Sequence, residues 1–195
     1  PALLDELDGE IIVTKNYRPQ AVISPLSAGG DKRPALIVLG TKTVSEQKAV
    51  RTIRRINRTA EIFSKVIFVC SAETRHFVEE FKGKDLRVVN NEKLEYPIIS
   101  PLKDGLGGLD PDDDYFVFTF LSSPEAAARL EKIPAAIDRA RKESKTVVML
   151  TIEGEPTHPI AIAASLQDEI IKTRKELGIP YLIRKYEADV FYSEI

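Results

Sequence analysis

Short apolar runs alternate along this chain with longer segments whose apolar residues recur at helical spacing. The apolar runs predict strands at 21–26, 65–70, 86–89, 115–120 and 146–151. The helical spacing predicts helices at 43–60, 73–82, 98–106, 124–143 and 163–177. Continuous apolar strands are typical of a parallel sheet that is buried on both faces. The sequence therefore predicts an α/β fold of three layers, in which a mostly parallel sheet lies between helices.

Length and composition favour one domain. A chain of 195 residues, 43% of them hydrophobic, can bury one core. We predict an N-terminal extension over residues 1–19, with a short strand at Glu10–Thr14, and a single core domain over 20–195. The net charge of -2, with both signs interspersed, argues against nucleic-acid binding through a broad basic surface. No apolar run reaches the ~18 residues of a membrane span and no signal-peptide pattern is visible, so we expect a cytoplasmic location without a membrane partner.

A few residues mark element ends or carry special chemistry. The only cysteine, Cys70, rules out an internal disulfide, and its apolar strand context predicts a buried structural thiol. Ser122 and Pro124 predict the start of the helix at 124–143. Gly178 and Pro180 predict the end of the helix at 163–177.

Ligands in such sheets bind outside the carboxyl ends of the strands. That rule predicts that five segments lie near one crevice: 26–33, 71–74, 90–105, 121–125 and 153–159. In the first of them, Gly29-Gly30 is followed by Lys32 and Arg33. Glycine allows backbone N–H groups to come close to a phosphate, and the cations would neutralise it. An ordinary turn is the favoured alternative for the same residues.

Two other segments carry polar groups with alternative interpretations. Ser100 is predicted to cap a helix that begins at Pro101, and its N-terminus would favour an anion with help from Lys103. A capped helix with a surface lysine is the alternative. Thr157 and His158 could bind a polar substrate group, or could simply belong to a loop.

Charged clusters are predicted to be solvated. The acids at 110–114 do not have the ligand spacing of an EF-hand, and we expect a surface loop. The basic residues of the helix at 43–60 are expected on a solvated helix face. With two histidines and one cysteine, a structural zinc site is not expected.

Several of these segments together resemble a known family. The matching residues follow one another in order: Leu26-Ser-Ala-Gly-Gly30, then Lys32 to Leu39-Gly40, Asn90-Asn91, Ser100-Pro-Leu-Lys-Asp-Gly-Leu106 and His158-Pro159. The chain resembles the nucleotidyltransferases that attach CMP or GMP to molybdopterin, which share a fold with the sugar-nucleotide pyrophosphorylases. The resemblance implies a Rossmann-like variant of the kind found in nucleotide-diphospho-sugar transferases.

The resemblance also implies an activity and a site. It implies transfer of a nucleoside monophosphate from a nucleoside triphosphate, with CTP favoured, to a phosphorylated small-molecule acceptor such as molybdopterin, with Mg²⁺ as the cofactor. Lys32 and Arg33 would act at the phosphates and His158 on the second substrate, and Asp189 would hold the metal. The nucleotide itself would be bound by Leu26, Ala28, Gly29, Gly30, Asn90 and Ser100.

Two departures from the family pattern leave an alternative open. The loop after Gly30 is shortened to Asp31, and Ser122 stands where the family has a metal-binding aspartate. A hydroxyl is a poor substitute for the carboxylate that Mg²⁺ requires. The alternative is a catalytically inactive relative that binds a nucleotide, another ligand or a protein partner. The sequence leaves enzymatic activity, a homodimer and a protein partner undecided.

Overall fold

The computed structural model describes residues 3–7, 10–15, 18–23, 32–40, 44–83, 85–91, 98–174 and 176–195, with backbone alone for 3–23. The chain divides into two compact units, Pro1–Lys32 and Arg33–Ile195. The division follows Lys32, later in the chain than the predicted boundary after residue 19.

The first unit contains a three-stranded antiparallel sheet. Its strands, in spatial order, are β1 (Leu3–Leu7), β2 (Glu10–Lys15) and β3 (Arg18–Ile23). The short strand predicted at Glu10–Thr14 is confirmed as β2. The strand predicted at 21–26 as part of the parallel sheet is wrong, because β3 pairs antiparallel with β2.

The second unit begins with β4 (Ala35–Leu39), which, like β9 and β10 below, was not predicted from the sequence. The other strands of this unit are β5 (Val66–Cys70), β6 (Leu86–Asn90), β7 (Tyr115–Phe120), β8 (Val147–Ile152), β9 (Glu155–Ala163) and β10 (Val190–Glu194). Its α-helices are α1 (Glu46–Thr59), α2 (Ile99–Leu106), α3 (Pro124–Ala128), α4 (Ile133–Lys142), α5 (Gln167–Lys172) and α6 (Gly178–Lys185). Five 3₁₀ turns complete it: Ala60–Ile62, Arg75–Glu80, Leu130–Lys132, Ala164–Leu166 and Glu187–Asp189.

Seven strands form one sheet in the order β10-β8-β9-β7-β4-β5-β6. β9 pairs antiparallel with β7 and β8, and the other neighbouring pairs are parallel. All strands except β9 therefore present their carboxyl ends at one edge, which we call the carboxyl edge; the opposite one is the amino edge. The predicted mostly parallel sheet is confirmed.

Helices cover both faces of this sheet, as predicted. Alternate residues of β4 serve the two sides: Leu36 and Val38 pack with α1 and α4, whereas Ile37 and Leu39 pack with α2, α5 and α6. The residues of β4 are at most 1% exposed, so β4 is central to both halves of the core. Burial on both faces explains why the strands read as unbroken apolar runs.

Several helix predictions need correction. The segment predicted as one helix at 124–143 is α3, a 3₁₀ turn and α4. Ser123, one of the two serines before Pro124, occupies the N-cap position without a capping hydrogen bond. The segment predicted as a helix at 73–82 instead contains a 3₁₀ turn over Arg75–Glu80. α5 ends at Lys172, and Gly178 begins α6 instead of ending the preceding helix. Its φ of +65° is a conformation that glycine adopts readily.

Two further expectations concern burial and membranes. Cys70 is 1% exposed, and burial raises the pKa of its thiol, as expected for an inert structural cysteine. None of the helices in the described ranges combines the length and the apolar character that a membrane span needs.

Candidate functional site

Four residues mark the places where strands of the sheet end at the carboxyl edge. Gly40 follows β4, Ser71 follows β5, Asn90 ends β6 and Leu121 follows β7. The entry of β9 lies at the same edge, because Glu155 pairs with Ile152 at the end of β8. Crevices at this edge are where open α/β sheets bind their ligands.

The ends of β4 and β5 approach each other closely at Gly40. Its N–H donates to the carbonyl of Val69 at 2.7 Å. A Cβ at this position would lie 3.0 Å from Oγ1 of Thr74 and 3.1 Å from the Val69 carbonyl oxygen. Thr74 in turn accepts a hydrogen bond from the N–H of Ser71 at 3.0 Å. A side chain at residue 40 would have to displace these atoms, so glycine permits this close approach of the two strand ends.

Asn90 is held in a defined orientation. Nη1 of Arg75 donates to Oδ1 of Asn90 at 3.0 Å, and the Asn90 side chain is exposed. Because the carbonyl oxygen of the amide is already engaged, its NH₂ group is the part available to a ligand. The neighbouring Asn91 is buried, and its N–H donates to the carbonyl of Cys70 at 2.9 Å.

Ser100 lies in the first turn of α2, which begins at this edge after β6. The predicted cap is wrong: Ile98 occupies the N-cap position, and Ser100 is a half-buried residue inside the helix. α2 packs against the strands beneath it through Ile99, Leu102 and Leu106, which are fully buried. Its N-terminal turn is thereby fixed at the carboxyl edge.

A bulge in β9 displays His158. Met149 pairs with Ile160, whereas the next residue of β8, Leu150, pairs with Thr157. His158 and Pro159 therefore have no partner on β8, and the ladder is interrupted at this point. Bulges of this kind re-aim side chains and are frequent beside functional sites. The structure thus places His158 in a strand rather than in a loop.

The His158 ring packs against aromatic side chains, and an arginine holds its backbone. It packs edge-on against Phe120 and Phe118, with centroid distances of 4.9 and 5.6 Å. Nη1 of Arg129 donates to Oγ1 of Thr157 at 3.1 Å and to the carbonyl oxygen of His158 at 3.3 Å. Nδ1 of His158 is buried and has no hydrogen-bond partner among the described residues. A buried polar atom without a protein partner is unusual in a folded protein.

Burial makes His158 a neutral imidazole in the folded protein. Desolvation lowers its pKa below the ordinary 6.5, because burial penalises the charged form. At neutral pH the ring therefore offers one donor and one acceptor nitrogen.

We expect the stability of the protein to fall in mild acid because of His158. With its pKa lowered in the folded state, the unfolded chain binds more protons as the pH drops below about 6.5. The contribution of His158 to the free energy of unfolding is therefore constant above this pH and decreases below it. His158→Asn should flatten this part of the pH profile, measured by urea unfolding, while the exposed His76→Asn serves as control. Equal profiles for wild type and His158→Asn would contradict the assignment.

The described residues give no metal site at the carboxyl edge. No group of three or more histidine, cysteine, aspartate or glutamate side chains that could hold a metal occurs in the part of the chain that the structure describes. The end of β7 presents the hydroxyls of Ser122 and Ser123. Asp189 lies at the amino edge, directly before β10, where its carbonyl accepts from the N–H of Thr146 at 3.0 Å.

The structure corrects the predicted position of Arg33. Arg33 precedes β4 at the amino edge, where its Nη1 donates to the carbonyl of Glu61 at 3.0 Å. Lys32 is exposed and is the last residue of the first unit. The other residues of the predicted turn lie outside the described residues, and their roles stay predictions: Leu26, Ala28, Gly29 and Gly30.

The acidic loop at 110–114 is a structural network. Asp110 and Asp113 pair with Lys65, and Asp114 pairs with Arg141 at 2.9 Å. These contacts lie at the amino edge, away from the candidate site. The expectation of a merely solvated loop is therefore corrected.

Sequence reasoning missed Gly40, Arg75 and Arg129 as contributors to the site. Of the three, only Gly40 could have been found from the sequence, because it directly follows an apolar run. Arg75 and Arg129 act through partners that are distant in sequence, Asn90 and the β9 bulge, so their contacts depend on the tertiary fold.

Neither protein-family models nor characterised protein sequences give a match to this chain. Solved structures do. Rv0371c from Mycobacterium tuberculosis H37Rv, in complex with manganese, is 14% identical with a TM-score of 0.62, over 84% of this chain and 88% of that one. The 4-diphosphocytidyl-2C-methyl-D-erythritol synthase from Anaerococcus prevotii is 14% identical with a TM-score of 0.61, over 85% and 89%. A nucleotidyl transferase from Methanothermobacter is 14% identical with a TM-score of 0.57, over 83% of this chain and 87% of that one. At such identities the likeness shows the fold.

Proposed function

We propose that this chain is a nucleotidyltransferase-like protein that binds a nucleoside triphosphate at its carboxyl edge. On this proposal it transfers the nucleoside monophosphate, with CTP favoured, to a phosphorylated small-molecule acceptor such as molybdopterin. The observation that carries the proposal is the position of Gly40, Asn90, Ser100 and His158 along one edge of the sheet. The fold is shared with a cytidylyl-compound synthase and a nucleotidyl transferase, which supports this class of chemistry.

The β6–α2 side of the edge suits the base and ribose. The NH₂ group of Asn90 is oriented by Arg75 and can donate to an acceptor on a nucleobase, such as the carbonyl oxygen of cytosine. The N-terminal turn of α2, with Ser100, offers backbone N–H groups and a hydroxyl for the ribose or a phosphate. Gly40 lies between them, at the end of β4, where it allows the close approach of β5 and Thr74.

The β7–β9 side suits the acceptor. In the proposed reaction an oxygen of the acceptor phosphate forms a bond to the α-phosphorus of the triphosphate, and the bond to the β-phosphate breaks, releasing pyrophosphate. His158 is half-buried and presents a neutral ring to the acceptor, which can exchange hydrogen bonds with it without adding charge. Arg129 holds the bulge that carries this ring.

The described residues do not fit a divalent metal. The metal-bound neighbour contains manganese, and a resident Mg²⁺ or Mn²⁺ would need hard oxygen ligands such as carboxylates. At the end of β7 this chain has Ser122 and Ser123, and Asp189 lies at the opposite edge. We therefore assign no step of the proposed reaction to a metal bound by these residues.

Calorimetric titration of CTP, GTP and ATP, each without metal, with Mg²⁺ and with Mn²⁺, tests the proposal. We expect CTP to bind most tightly and Asn90→Ala combined with Ser100→Ala to weaken it more than about tenfold, because two hydrogen bonds are lost. Arg33→Ala, at the opposite edge, should leave the affinity unchanged. The site is wrongly placed if Arg33→Ala weakens binding and the double variant does not.

A second candidate function is nucleotide or ligand binding without transfer. The serine pair at the end of β7 favours it, because the carboxylate that would neutralise developing charge is missing there. Pyrophosphate release from CTP with a phosphorylated acceptor distinguishes the two. Release supports transfer, whereas tight CTP binding without release supports the binding module.

A further inference from the structure

A cavity of about 520 Å³ lies beside α5 and α6, outside the candidate functional site. Residues at helical spacing from one face of the 3₁₀ turn and α5 line one wall: Ser165, Asp168, Glu169, Lys172 and Thr173. The other wall comes from Leu177 and Tyr181 at the start of α6, and from Tyr186 after its end. The volume is within the range of cavities that hold small organic molecules.

The walls of this cavity offer exposed aromatic and apolar surface. The side chain of Leu177 is 44% exposed and that of Tyr181 is 36% exposed. Tyr186 is fixed in place, because its hydroxyl donates to Glu169 and the Nζ of Lys185 lies 5.3 Å from the centre of its ring. One rigid ring and one exposed ring can contact a planar ligand without a large loss of side-chain entropy.

The charges of the cavity leave a cation available. Glu169 is engaged by Lys185 and Tyr186, and Asp168 lies 3.8 Å from the ammonium of Lys172. Arg174, also in the lining, forms no hydrogen bond or ion pair through its guanidinium with the described residues. A guanidinium binds carboxylate and phosphate groups through two parallel hydrogen bonds.

We propose that the groove between α5 and α6 binds a small aromatic anion, whose ring packs on Tyr181 and whose carboxylate or phosphate pairs with Arg174. The aromatic wall and the available guanidinium together select this class over neutral aromatic molecules and over inorganic anions. The anionic group is a carboxylate or a phosphate, because both form paired hydrogen bonds with a guanidinium.

Titration of the full chain, followed by ¹H–¹⁵N NMR, tests the proposal with 1-naphthoate, 1-naphthyl phosphate and the uncharged 1-naphthalenemethanol. We expect at least one anion to bind and to shift the amides of α5 and α6, with the neutral compound about tenfold weaker or more. The tighter of the two anions identifies the preferred anionic group. Arg174→Gln should weaken the anions about tenfold and leave the neutral compound unchanged.

Two control variants separate this groove from other surfaces. Arg184→Gln removes an exposed arginine of α6 that does not line the cavity, and should leave binding unchanged. Asn90→Ala combined with Ser100→Ala alters the candidate functional site, and should also leave naphthoate binding unchanged. Equal affinity for the neutral compound, insensitivity to Arg174→Gln, or no binding at millimolar concentrations would each overturn the proposal.

Discussion

Lys65→Ala is expected to lower the free energy of unfolding by about 3–5 kcal/mol, the cost of breaking a buried ion pair from one side. The Lys65 side chain is 9% exposed and that of Asp113 is 5% exposed, with Nζ and Oδ2 at 2.7 Å. Burial alone would lower the pKa of Lys65, but its hydrogen bonds to Asp110 and Asp113 outweigh this and raise it. Without the lysine, the Asp113 carboxylate stays buried with no cation beside it. Urea unfolding at neutral pH measures the loss.

Two comparisons test this explanation. Lys132→Ala removes an exposed lysine whose Nζ lies 3.6 Å from Glu131, and should change the stability by less than about 1 kcal/mol. In an Asp113→Asn background, Lys65→Ala should cost less than in the wild type, because the charge that it compensates is absent. A loss below about 1 kcal/mol for Lys65→Ala itself would show that the pair is not an important support of the fold.

Gly105→Val should destabilise the protein by about 3 kcal/mol, at the upper end of the usual cost of overpacking. A Cβ on Gly105 would lie 2.7 Å from Cγ2 of Ile37 and 3.0 Å from Cγ2 of Val69. Both neighbours are fully buried, β-branched residues of central strands, so neither can move aside easily. The strain would lift α2 from the sheet, and we expect weaker CTP binding as well, because α2 carries Ser100.

Gly107→Ala is the matched control. Gly107 is exposed at the end of the same helix, and its added Cβ would meet only the carbonyl oxygen of Asp104, at 3.3 Å. We expect a change within about 1 kcal/mol and unchanged CTP binding. Thermal unfolding and calorimetry of both variants give the comparison. If Gly105→Val is as mild as Gly107→Ala, the close approach of α2 to the sheet is not required.

The fold class followed from the sequence, but the identity of the first core strand did not. Two apolar runs flank the glycine pair at 29–30, and local pattern fits a strand at either. The structure places the second run, β4, between β5 and β7, whereas residues 18–23 join an antiparallel sheet. Strand pairing is decided by contacts that are distant in sequence, so periodicity alone cannot choose between them.

The same limit applies to the candidate site. Asn90, Ser100 and His158 were predicted from strand ends and helix starts, and they do lie at the carboxyl edge. β9 was missed because prolines at 156 and 159 argue against a central strand. The bulge accounts for Pro159, which lies where the ladder with β8 is interrupted, whereas Pro156 pairs with Thr151. Arg33 was predicted from the cations that follow Gly29-Gly30 and Asp189 through the resemblance, and the fold places both at the amino edge.

The bulge that carries His158 also has a consequence for the core. Two residues lie between Thr157 and Ile160, the partners of the adjacent residues Leu150 and Met149. Side chains along a strand alternate between the two faces, so every second side chain points to the same face. An insertion of even length leaves the parity of β9 intact, so Ile160 and Ile162 still face one layer and Ala161 the other. A single inserted residue would have exchanged the two faces beyond it. Deletion of His158 together with Pro159 would therefore leave the in–out order of the sheet on either side unchanged.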